Sequence, residues 1–118
     1  MTKPFFTIPA PVFTERTAIR PMRGHTMGAI EDGWLLYYEN LETPPSDVIV
    51  GKLCVVRTAD HRTLIRKVSK GWKAGAWDLA TITGEQLRDV VVLWAEPVTF
   101  IKPHTLTDAE KLILSVDQ

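Results

Sequence analysis

A single cysteine among 118 residues excludes a disulfide framework within the chain. Its sequence neighbours Leu53, Val55 and Val56 are apolar, so Cys54 reads as a buried, inert thiol, a state that suits the cytoplasm. Also lacking is any apolar run approaching the roughly 18 residues of a membrane span. The N-terminus has no basic stretch leading into an apolar core and cleavage site, so no membrane anchor or leader is expected. Charge of one sign is missing too: Lys plus Arg and Asp plus Glu number 14 each. That balance gives no global attraction to nucleic acid or an anionic surface, and contact with either would need a local patch. His25, His61 and His104 stand far apart with only one cysteine beside them, a spacing that fits no metal site; neither metal nor cofactor is expected. No internal repeat, low-complexity tract or helix-turn-helix pattern is visible.

What is present is a β pattern of one-domain length. Residues 1–16 combine Pro4, Pro9 and Pro11 with Phe5, Phe6 and Phe13. Proline removes backbone donors and biases its neighbours to extended geometry, so this stretch is predicted to be an extended arm whose aromatics cover a sheet face. Strands are predicted at Thr17–Arg20, Trp34–Glu39, Lys52–Thr58, Thr63–Val68, Ala76–Thr83 and Asp89–Phe100. Turn residues separate them, Ala59-Asp60-His61-Arg62 making a hairpin. Thr107 with Glu110 ahead of Leu112-Ile113-Leu114 is a capping-box signature, so a short helix is expected in residues 104–118. Short strands with turns between them argue for a mostly β, partly closed antiparallel fold over residues 17–103.

The distinctive stretch is Arg23-Gly24-His25-Thr26-Met27-Gly28-Ala29-Ile30-Glu31-Asp32-Gly33, followed at once by the apolar Trp34-Leu35-Leu36-Tyr37-Tyr38. With Gly51-Lys52-Leu53-Cys54-Val55-Val56 and Leu64-Ile65-Arg66-Lys67-Val68, it resembles the LexA-like repressor and signal-peptidase-like superfamily. Members carry Gly-Asp-Ser-Met before an Asp-Gly turn and a strand, with a lysine on a later strand. The resemblance spans Met22 to about Pro103 and implies the coiled, multi-sheet β fold of LexA-like C-terminal domains. It places Thr26 at the nucleophile position and Arg66 at the general-base position, with Gly24, His25 and Met27 lining a vestigial cleft. Two departures stand out. Relatives often have Ser-x-Asn where this chain has Ala80-Thr81-Ile82-Thr83-Gly84, and the Ala-Gly or Cys-Gly bond cleaved upstream of the corner in such repressors has no counterpart in residues 1–22.

In that family a serine oxygen attacks a peptide carbonyl after a buried neutral lysine takes its proton, burial having depressed the lysine pKa. Arginine cannot do this. Its guanidinium stays protonated, with a pKa above about 12, so Arg66 can hydrogen-bond Thr26 but never accept its proton. Side chains alternate along a strand, so if Arg66 faces Thr26, Lys67 points away. His25 has a pKa suited to base work, but a sequence neighbour is poorly placed to deprotonate the next side chain.

Trp72, Trp77 and Trp94 with Tyr37 and Tyr38 could stack bases, yet without a basic surplus they read as core and interface residues. Arg62, Arg66, Lys67, Lys70 and Lys73 make a local basic cluster whose ordinary reading is a solvated edge, a phosphate contact being the sharper one. Val90-Val91-Val92-Leu93-Trp94 is apolar at every position, which predicts cover on both faces by the fold or by a second copy. The resemblance implies pairing through C-terminal strands, so a homodimer is expected, with Val98, Phe100 and Ile101 at its contact unless the C-terminal helix folds over that surface. The function expected is a catalytically degenerate LexA-like domain, an oligomerisation or interaction module of a phage-type or SOS-type transcription regulator. DNA would then be bound by another chain or by residues upstream. The alternatives are a residual serine- or threonine-type autopeptidase and a stand-alone module binding an extended peptide in the cleft by strand addition.

Overall fold

In a computed structural model, which describes residues 11–116, the chain is mostly β with one short C-terminal helix. Two antiparallel sheets form. One joins β1 (Thr17–Pro21), β2 (Leu35–Glu39) and β8 (Phe100–Lys102) in the order β1-β2-β8. The other joins β3 (Leu53–Thr58), β4 (Thr63–Lys70), β5 (Trp77–Ala80), β6 (Leu87–Val90) and β7 (Val92–Pro97) in the order β6-β5-β4-β3-β7. Phe5 and Phe6 of the expected arm lie outside the described residues. Phe13 stacks on Tyr37 with ring centroids 5.0 Å apart, covering the outer face of β2.

Connectivity fixes the shape of the larger sheet. Its edge strands β6 and β7 are joined through Val91 alone. Laid flat, five strands would hold those edges about 19 Å apart, four gaps of about 4.8 Å. Two peptide steps reach about 7 Å. The sheet therefore curls until its edges meet at Val91, and Ala59 N donating to Val91 O at 2.9 Å ties that corner to the end of β3. This is the partly closed antiparallel arrangement expected from the strand spacing.

The curl makes two cores, because successive residues of β3 and β4 face opposite ways. Val55 and Ile65 join Met22, Met27, Leu36 and Tyr38 between the sheets. Cys54, Val56 and Val68 join Ile49, Trp77, Leu79, Val92 and Ala95 on the other side. Ile49 arrives on a 3-10 turn, Asp47–Ile49.

One expectation about the C-terminal third is corrected. The single strand predicted over Asp89–Phe100 is three strands: the chain turns at Asp89, with φ of 52°, passes Val91 from edge to edge, and crosses to the small sheet after Pro97. Asp89 is among the residue types that enter this left-handed backbone more readily, and long-range bonds hold it there: its Oδ1 accepts from Lys73 N at 3.0 Å and its N–H donates to Asp78 Oδ1 at 2.9 Å. Within the chain, moreover, Val91 and Leu93 are exposed, so the fold covers only one face of the 90–94 run. The helix α1 (Asp108–Val116) starts with a reciprocal capping box, Thr107 N donating to Glu110 Oε1 at 2.8 Å and Glu110 N to Thr107 Oγ1 at 3.2 Å. Ile113 borders a hollow with Ile19, Pro21, Leu35 and Leu106, while Leu112 and Ile113 stay largely exposed.

Candidate functional site

The glycine-rich corner is a loop clamped at its stem. Met22 N donates to Trp34 O and Gly33 N to Met22 O, both at 2.7 Å, so the chain leaves β1 and re-enters at β2 through a closed neck. Gly33 has φ of +91°, and a side chain there would also press His104 O and Leu106, so glycine is required twice over. Asp32 Oδ1 accepts from Gly24 N at 2.7 Å and lies 3.7 Å from Arg23 Nε. At the tip, Thr26 O accepts from Ile82 N at 2.8 Å and Thr83 N at 3.1 Å, and Thr83 Oγ1 donates to His25 O at 3.3 Å. The turn after β5 thus sits on the corner. It is tight enough that a Cβ added to Gly84 would lie 2.6 Å from Thr26 Cγ2.

Met27 is buried and roots the tip in the core between the sheets; Thr26 is half-buried, and Gly24 and His25 are exposed. The structure thereby brings Thr26 against Ile82, Thr83 and Gly84, a partnership that sequence spacing could not reveal. Among the described residues, no hydrogen bond reaches the Thr26 hydroxyl and none joins it to His25, Arg66 or Lys67.

Arg66 pairs with Cys54 and Lys67 with Leu53 across the β3–β4 ladder. Arg66 therefore leaves the strand on the Cys54 side, and exposed Lys67 leaves on the side holding Ile65 and the corner's methionines. The guanidinium then turns back on its own strand: Nη1 donates to Ile65 O at 2.8 Å, and Nε is buried without a hydrogen-bond partner. Burial and the neighbouring Arg62 charge push the Arg66 pKa down, while Glu85 opposes them. It stays a cation regardless.

β5 pairs only with residues 67–70 of β4, so 63–66 have no β5 partner. Beside them Arg20, Pro21, Met22 and Arg23 complete a notch of about 280 Å³ with Thr63, Leu64, Ile65 and Arg66. Arg20 and Arg23 were not among the residues singled out from sequence. Their signal was local, two arginines flanking Pro21 and Met22 directly before the corner, but their meeting with β4 depends on long-range pairing.

The remaining candidates separate widely. His61 caps the β3–β4 hairpin with φ of 68°, and His104 Nε2 lies 3.1 Å from Glu110 Oε1 at the helix start. No cluster of three His, Cys, Asp or Glu side chains suited to a metal occurs among the described residues. Cys54 is buried, and desolvation outweighs the nearby Lys52 to push its thiol up to about 11. Val98 and Ile101 lean on the core between the sheets, and Phe100 meets Tyr37 edge-on at 5.2 Å. Of the tryptophans, Trp77 is core and Trp94 stacks on Tyr38, but Trp72 is 94% exposed at the β4–β5 turn, against the core reading. The same turn holds the chain's Ala74-Gly75 pair, downstream of the corner rather than upstream. No helix among the described residues is long and apolar enough to cross a membrane. Neither a family model nor a curated protein matches this chain.

Proposed function

We propose that this chain is a catalytically degenerate domain of the LexA-like, signal-peptidase-like kind, serving as an oligomerisation or interaction module of a phage-type or SOS-type transcription regulator. One observation carries the reading: a clamped glycine corner presents Thr26 with no base hydrogen-bonded to it, while the arginine at the family's base position is engaged with Ile65 O. A nucleophile without a proton acceptor has little use in acyl transfer, whereas a rigid corner on a curled sheet remains useful as a scaffold. The self-association surface assigned to it centres on β8, where Phe100 lies half-buried between Val98 and Ile101. β8 is an edge of the small sheet, and an unpaired edge invites a second copy.

Analytical ultracentrifugation over a concentration series tests the role, with intact-mass spectrometry after long alkaline incubation beside it. A dimer that dissociates by mass action, weakened by Phe100→Asp with unchanged circular dichroism, and a chain that stays whole are the expected results. Strictly monomeric behaviour refutes the oligomerisation role. A specific fragment that vanishes in Thr26→Ala replaces the proposal with a residual threonine-type autopeptidase.

A second reading has its own support. Residues 63–66 run beyond β5 as a strand edge next to the corner, the kind of edge to which an extended peptide adds. Slower amide exchange at Thr63 and Ile65 on adding a candidate peptide, in a monomeric chain, would favour it.

A further inference from the structure

The notch between the end of β1 and the free part of β4 gathers positive charge that the protein does not neutralise. Arg20, Arg23 and Arg66 all line it, and Arg62 is close enough to depress the Arg66 pKa. Opposing carboxylates are few, and Glu85 acts on Arg66 without forming an ion pair with it. Arg62 is paired with Asp60 at 2.9 Å, and Arg23 has Asp32 at 3.7 Å, an oxygen already accepting from Gly24 N. Among the described residues Arg20 and Arg66 have no ion pair. Arg66 also keeps Nε buried and unpartnered. Buried donors are nearly always satisfied, and a half-buried cation without an ion-pair partner adds to that cost. An anion seated in the notch would add negative charge beside Arg20, Arg23 and Arg66.

We propose that this notch is a binding site for the phosphate group of a small phosphate monoester. Two guanidinium groups without an ion pair, with Arg23 beside them, favour a doubly charged phosphate monoester over a singly charged carboxylate. Guanidinium forks match phosphate oxygens in bidentate geometry. At about 280 Å³ the notch lies at the small end of ligand pockets, with room for the anion and a modest organic substituent. A polyanion is disfavoured because the chain has equal numbers of acidic and basic residues and no extended field to hold a strand. The site does not depend on the peptidase-like reading.

The test is an amide NMR titration of the full chain with inorganic phosphate and pyrophosphate, against acetate at matched ionic strength. Saturable shifts confined to Arg20–Arg23 and Thr63–Arg66 are expected with the phosphates and not with acetate. Arg66→Gln and Arg20→Gln should each weaken pyrophosphate binding by at least about tenfold, the loss of one charge-assisted bond, and either variant suffices if the other fails to fold. Arg88→Gln, on β6, should leave it unchanged. Equal shifts with acetate, or unaltered affinity in the Arg66 and Arg20 variants, overturn the proposal. So does a single-stranded oligonucleotide that binds more tightly than pyrophosphate and gains with length, since that pattern belongs to a surface track.

Discussion

Substituting Gly84 by alanine probes the contact between the corner and the turn after β5. The added Cβ would meet Thr26 Cγ2 at 2.6 Å, Thr26 Cβ at 3.0 Å and Thr81 Oγ1 at 3.0 Å. Thr26 cannot yield easily, because its carbonyl holds Ile82 N and Thr83 N. Overpacking of this kind costs about 1–3 kcal/mol, and about 2 kcal/mol is expected here. At about 3–5 °C per kcal/mol for a domain of this size, the melting temperature should fall by about 6–10 °C. Thr26→Ser removes the methyl that makes the closest clash. By itself it should cost about 0.4 kcal/mol, half the value of a fully buried methylene, since Thr26 is half-buried. In the double variant the two 3.0 Å contacts persist, so about half of the Gly84→Ala loss should return. The resulting coupling of about 1 kcal/mol is well above the roughly 0.3–0.5 kcal/mol scatter of independent sites. Urea denaturation of the four proteins measures it, provided the m-value is constant. Additive losses, or a Gly84→Ala protein as stable as the parent, would show that the turn does not sit on Thr26.

Three further outcomes are expected. Cys54, with its thiol raised to about 11 from 9.0, should hold about a hundredfold less thiolate than an ordinary cysteine. Native-state labelling should therefore be slow at pH 8, and a rate matching that of the urea-unfolded chain would place β3 elsewhere. Glu110 is held below its ordinary value of 4.5 by the Thr107 backbone N–H, then by His104 and the Thr107 hydroxyl. Such a depressed group adds stability above its unfolded pKa and loses it as pH falls through the folded one. NMR titration of the Glu110 carboxyl should give a midpoint below 4.5 that rises part-way in His104→Ala; an unmoved midpoint would remove His104 from the cap. Leu36→Ala, at a fully buried site between the sheets, should cost about 2–5 kcal/mol by calorimetry, and a loss under about 1 kcal/mol would mean that core is loosely filled.

Strands β1 to β5 and the helix start were legible because their signals are local: alternation, the turn at residues 59–62, Pro21, and the Thr107–Glu110 capping box. Residues 87–97 were not legible. Four consecutive valines and leucines hide the step at Val91, and no glycine or proline marks the turn that Asp89 makes with a positive φ. The corner itself could be read from Gly24 to Gly33, but its neighbours could not. Thr26 meets Gly84, and Arg20 and Arg23 meet Arg66, only because the sheet curls, a global property that no short window carries. The direction of Arg66 was equally hidden, since alternation tells that 66 and 67 differ without telling which faces what.

The one-residue link at Val91 has a consequence for how the chain reaches its native state. Hairpins β3–β4, β4–β5 and β5–β6 can each form from nearby residues, but β7 must return past all of them to pair Val56 with Ala95. That closure comes after the local contacts and bears the loop entropy alone, which makes it the slow step. Until it happens, the 90–94 run is uncovered next to an open β3, the arrangement that promotes association between nascent chains. Loop 40–46 shields the finished edge, Thr43 O accepting from Ala95 N at 3.1 Å and Glu96 Oε2 from Leu41 N at 3.2 Å. The buried Glu96 side chain, accepting also from Thr43 Oγ1 at 3.4 Å, thus pins that loop over β7 and leaves less of its edge open to another chain.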